Sequence, residues 1–145
     1  MCFMTRGSAL VRDLKKFQET YSRTDEVRGW KVLQKDPSGK LTSIFYPIEW
    51  KRGERVSAKP SKKIPSFTVL PDDDLLIEVK GGLHIFREKD RALLEKENLR
   101  RFCSGCESPT VAEVCFEARD LIAVNEETFV ASSAKVTWVV GEVPV

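Results

Sequence analysis

The runs Trp30 to Leu33 and Leu41 to Phe45, joined through Asp36, Pro37, Ser38 and Gly39, constrain the fold more than any other feature of this chain. Both runs are rich in β-branched and aromatic residues, and Pro and Gly stand where a type I turn wants them. The segment therefore reads as an antiparallel hairpin, with strands over Val27 to Leu33 and Leu41 to Tyr46.

Around this hairpin the elements follow no regular βαβ order. Upstream, Leu10, Val11, Leu14, Phe17 and Tyr21 recur at three- and four-residue spacing, predicting a helix over Ser8 to Ser22 with Ser8 as its cap. Pro47 breaks the second strand and Gly53 marks a turn, so Glu54 to Ala58 is expected as a short edge strand. Lys59 to Ser66 holds two prolines, two serines and three lysines, which predicts an exposed basic loop at about 59–66. Asp72, Asp73 and Asp74 read as a solvated turn able to cap an element, and Leu75 to Val79 as a buried strand. Gly81 and Gly82 then turn the chain, Leu83 to Phe86 leads on, and Arg87 to Phe102 carries a helical stripe at Ala92, Leu93, Leu99 and Phe102. Strands are predicted over Val111 to Phe116, Leu121 to Val124 and, once or twice, between Phe129 and Val140. The expectation is an α+β domain over 1–145, with one mixed or mainly antiparallel sheet and two main helices packed on one side of it.

Length and composition agree with a chain that builds its own core. A 145-residue chain is near the modal size of one domain, and eight Phe and three Trp supply surface to bury. Lys plus Arg at 24 nearly balances Asp plus Glu at 22, so net charge points neither toward nor away from nucleic acid. The first residues, Met1 to Gly7, lack the apolar run of a signal peptide, and no stretch has the length of a bilayer-spanning helix. A cytoplasmic location is expected, in a host if the chain is phage-encoded, and membrane partners are not.

Gly29 to Val32, Glu49-Trp50, Gly82 to Phe86, Glu113 to Phe116 and Asp120 to Asn125 together resemble short motifs of a loose group of small phage and bacterial proteins. The resemblance implies a turn at Gly82, Leu83 and His84 that ends a strand and opens a helix, and it implies phage or mobile-element company. It carries no activity and no catalytic residue.

Candidate chemistry is sparse. Cys103 and Cys106 have the two-residue spacing that lets two thiolates reach one zinc, with Cys115 as a third ligand and Cys2 or His84 as a fourth, but no second pair at matching spacing completes the pattern. No cofactor is otherwise implied. Cytosolic redox poise predicts reduced thiols. His84, the single histidine, stands beside Gly81 and Gly82, where a ligand can approach the backbone closely, and is the candidate general acid or base. Glu49, Glu78, Glu113 and Glu117 alternate with apolar residues and read as outward-facing strand positions. From Lys51 to Lys63 the cations Lys51, Arg52, Arg55, Lys59, Lys62 and Lys63 meet only Glu54, with Trp50 and Phe67 at the flanks. Such a stretch can neutralise phosphates and stack a base.

These features leave three functions. A non-enzymatic interaction protein, acting on another protein with an exposed anchor of Trp50, Arg52 and Arg55, fits the incomplete catalytic sets. A binder of nucleic acid or a nucleotide-like anion would use the Lys51 to Lys63 stretch, and an enzyme would centre on His84.

Overall fold

The computed structural model describes residues 3–44, 48–58, 66–102 and 108–142. In chain order the elements are β1 (Phe3–Arg6), α1 (Gly7–Thr20), β2 (Glu26–Lys35), β3 (Leu41–Ser43), β4 (Glu49–Trp50), β5 (Arg55–Ser57), β6 (Ser66–Val69), β7 (Leu75–Val79), β8 (Leu83–Phe86), α2 (Lys89–Phe102), β9 (Pro109–Glu117), a 3-10 turn (Ala118–Asp120), β10 (Leu121–Val124), β11 (Thr128–Ala131) and β12 (Ser133–Val139). Every strand pairing among the described residues is antiparallel, and the architecture is α+β. No helix among those residues is long and apolar enough to cross a membrane.

The predicted hairpin forms, pairing Leu33 with Ser43 and Lys35 with Leu41. Its turn is held by Asp36, whose Oδ1 accepts from the Ser38 and Lys40 amides at 2.9 Å, while Gly39 takes a positive φ of 90°. The strand β2 runs further than its apolar core suggests. It pairs with β9 over nine residues, from Glu26 opposite Glu117 to Gln34 opposite Pro109, and this ladder is the spine of the molecule.

Strands assemble into two sheets, not the single sheet expected. Seven strands follow the order β10-β11-β8-β2-β9-β12-β5, with β3 paired to β2 and β4 to β3, and a separate sheet has the order β1-β7-β6. The chain makes its last passage from the small sheet to the large one between β7 and β8, where Gly81 and Gly82 adopt φ of 81° and 73°. Residues Phe3, Ile77 and Val79 of the small sheet bury against Ala123 and Val130 of the large one.

The helices also depart from expectation, because they occupy opposite faces of the large sheet. Phe17 of α1 joins a core of Val27, Ala112, Val114, Phe116 and Phe129, whereas Ala92 and Leu99 of α2 pack on Val32 and Val111. Successive strand residues point to opposite faces, so Val111 and Ala112 separate the two clusters. Ser8 does not cap α1 with its own side chain: Asp74 does, accepting from the Ser8 amide at 3.2 Å and the Ser8 hydroxyl at 2.6 Å. The acidic turn thus caps an element, as its composition suggested. The motif at Gly82, Leu83 and His84 opens β8 rather than a helix, and α2 begins only at Lys89.

Candidate functional site

On the side of β2 away from β9 the sheet forks. Trp30 pairs with Phe86 of β8, but from Leu33 onward the neighbour is β3. Gly29 makes the close crossing possible, since a Cβ there would overlap the Ile85 Cγ2 methyl and stand 2.9 Å from the Phe86 carbonyl oxygen. Beyond that contact β8 and β2 part, leaving Lys31 and Val32 between the two branches. A cleft of about 60 Å³ opens there, walled by Val32, Ile44, Ile48, Leu83, Ile85, Phe86 and Leu99, with Lys31, Ser43, His84, Glu95 and Thr128 as its polar side chains. This mixture of apolar wall and few polar groups is the composition of a small-ligand site.

Lys31 is the unusual member. Its Nζ donates to the His84 backbone carbonyl at 2.9 Å, and that is the hydrogen bond it makes among the described residues. No carboxylate of those residues stands within ion-pair reach. The residue is of intermediate exposure overall, but burial of the ammonium end pulls its pKa to about 8. A desolvated cation without a counter-ion is costly, and side chains of this kind concentrate at functional sites.

His84 occupies the same cleft in a defined state. Its Nε2 lies 3.0 Å from the Gly81 carbonyl oxygen. A carbonyl only accepts, so Nε2 carries the proton and Nδ1 is left as an acceptor. Burial lowers the His84 pKa, the Gly81 bond opposes this, and the charge of Lys31 lowers it further. The imidazole is therefore neutral at neutral pH. Glu95 reaches the cleft from α2 and lies 3.9 Å from Arg91 one turn earlier, which tempers its charge. The Ser43 Oγ accepts the Trp50 indole N–H at 2.9 Å, which leaves the hydroxyl hydrogen to donate elsewhere.

Several residues singled out by sequence fall elsewhere. Trp50 is 2% exposed within the main core, so it is no surface anchor; its position in the pairing of Leu41 with Trp50 turns the indole inward, where it holds Ser43. Arg52 and Lys35 both bond Glu142, and Arg55 bridges Asp120 at 3.0 Å and Glu117 at 3.4 Å. Lys59, Lys62 and Lys63 lie outside the described residues, as do Cys2, Cys103 and Cys106; of the expected loop only Ser66 is described, and it opens β6. Cys115 is a buried free thiol on β9 whose pKa is raised by burial, and among the described residues no group of three His, Cys, Asp or Glu could hold a metal. Glu49 faces Lys40 and Glu78 faces Lys80, while Glu113 accepts from the Thr137 hydroxyl; none of the three lines the cleft.

Sequence reasoning missed Lys31, Ser43 and Glu95. The only signal for Lys31 is a charged residue between Trp30 and Val32 on a strand with four of its ten residues buried. Set against protein-family models, curated proteins and solved structures, the chain gives no match.

Proposed function

We propose that this chain is a non-enzymatic binding protein that takes a small ligand in the cleft between β2, β8 and α2. The observation that carries this reading is the Lys31 ammonium, which lines an apolar-walled opening with a neutral carbonyl as its bonding partner. Binding rather than catalysis is supported by the surroundings of His84. The imidazole bonds a backbone carbonyl, and no hydrogen bond from it to a carboxylate or a nucleophile is made among the described residues. Titrating the 15N-labelled protein with short aliphatic acids, alcohols and amides tests the site. Shifts are expected at Val32, His84, Phe86 and Leu99, and a titration that leaves all four amides unmoved sinks the proposal.

A second reading, in which the partner is another protein, draws on a different surface. Phe67 and Val69 are 55% and 70% exposed on β6, an edge strand of the small sheet. Exposed edges with apolar side chains invite strand addition by a partner. Phe67→Asp should then abolish co-purification of a partner from the native source while Lys31→Met leaves it intact; the reverse pattern speaks for the cleft.

A further inference from the structure

We infer that the ligand of the cleft is a short monocarboxylate, its carboxylate held by the Lys31 ammonium and its aliphatic body laid against Val32, Phe86 and Leu99. This rests on the cleft being a binding site at all, and adds the chemical class that the site selects.

Charge is the first argument. Among the described residues that line it the cleft holds one positive group, because burial and the nearby Lys31 charge keep His84 neutral, while the Gly81 carbonyl at 3.0 Å places its proton on Nε2. A single ammonium matches a monoanion. A dianionic phosphate would bring a second charge with no cation to meet it, and it would face Glu95 on the opposite element. A neutral ligand could offer the ammonium an acceptor but no counter-charge, and among the described residues its one hydrogen bond is to the His84 carbonyl at 2.9 Å. Pairing with an anion in a poorly solvated site is what relieves that cost.

Donor geometry is the second argument. A carboxylate has two oxygens to satisfy, and Ser43 offers the cleft a second donor. Its Oγ already accepts from Trp50 at 2.9 Å, so the hydroxyl hydrogen is directed away from that bond. Trp50, buried in the core, fixes the serine for this purpose.

Size is the third. A volume of about 60 Å³ holds roughly five water-sized spheres, which suits a ligand of about six heavy atoms. The walls are mainly apolar, so the part of the ligand beyond its head group is hydrocarbon.

The test uses the full chain at pH 7 with three probes, butanoate, its neutral isostere butanamide, and inorganic phosphate, followed by amide shifts and by titration calorimetry. Butanoate is expected to bind at least about tenfold tighter than butanamide and than phosphate, and Lys31→Met to weaken butanoate by a similar factor, the size of one charge-assisted bond. Lys31→Arg should retain part of the affinity, and Ser43→Ala should lose a smaller part. Equal affinities for butanoate and butanamide in the wild-type chain overturn the inference while leaving the cleft as a site, and this comparison stands even if the variants do not fold. Tighter binding of phosphate overturns it too. If none of the three probes moves the cleft amides, the inference and the proposed function fall together.

Discussion

Two sets of cations in this molecule stand in opposite situations. At the rim near β5, Arg52 and Arg55 look unopposed in the sequence, yet each meets carboxylates brought from far along the chain: Glu142 for the first, Glu117 and Asp120 for the second. Their side chains are nearly half exposed, so both charges stay solvated whether or not the pairs form. In the cleft, Lys31 has lost most of its water and gained only a carbonyl. Within the local excess of charge in the sequence, Arg52 and Arg55 are thus already satisfied, and the desolvated cation sat where the sequence looked hydrophobic. Need for a partner follows desolvation and geometry rather than the density of Lys and Arg.

The largest expected effect tests the rim's supposed anchor. Trp50→Ala should lower the free energy of unfolding by about 3–5 kcal/mol, as removal of a large buried aromatic does, and should also free Ser43 from its indole partner. Urea melts measure this directly. A loss below about 0.5 kcal/mol would return Trp50 to the surface and restore the anchor to the rim.

Next in size is the cost carried by Lys31. Its pKa is about 8 in the folded chain and near 10.5 when unfolded. Below pH 8 both states hold the proton and the penalty is constant; between pH 8 and 10.5 the unfolded state binds more protons, so this group makes stability rise with pH. At about 1.4 kcal/mol per pH unit the ceiling is on the order of 3 kcal/mol, and about half of that is expected because the residue keeps some exposure. Lys31→Met should therefore be at least as stable as wild type at pH 7 and should lack the alkaline rise, since a buried charge without a partner is replaced by an apolar chain of similar length. Melts of both proteins from pH 7 to 10.5 cancel the contributions of other titrating groups. Parallel curves, with the variant lower throughout, would show that Lys31 stabilises the fold as the rim arginines do.

Much of the scaffold was legible because it is written locally. The hairpin has its turn residues in place, α2 has its stripe at Ala92 and Leu99, and β9 through β12 have the β-branched content of buried strands. The second sheet was not legible: β1 is four residues long, and its partner Val79 lies far along the chain from Phe3. No local pattern encodes such a pairing. Nor does composition announce β6, whose outward residues are largely exposed. For the site, His84 was visible as a lone imidazole beside two glycines. Lys31 was not, because its setting comes from the fork between β8 and β3, and that fork depends on the close approach that Gly29 permits. Tertiary placement, not residue type, separated the two halves of the site.

The smallest expected effect completes the contrast. Arg52→Ala leaves Glu142 with the Lys35 ammonium at 2.6 Å, and Arg55→Ala leaves Glu117 with the neighbouring Arg119. Each substitution should cost less than about 1 kcal/mol at low ionic strength, because Glu142 and Glu117 keep a cation, Asp120 loses one that is nearly half exposed, and both arginines were already hydrated. Raising the salt to about 1 M should shrink even that difference, since the Debye length then falls to about 3 Å and exposed pairs are screened. Lys31 should respond otherwise: the low-dielectric wall around it excludes counter-ions, so the gap between wild type and Lys31→Met should persist in salt. Melts of the three variants at low and high salt decide the matter. A large, salt-resistant loss on removing Arg55 would mean that the rim pairs are buried in solution, and the distinction between satisfied and waiting cations would collapse.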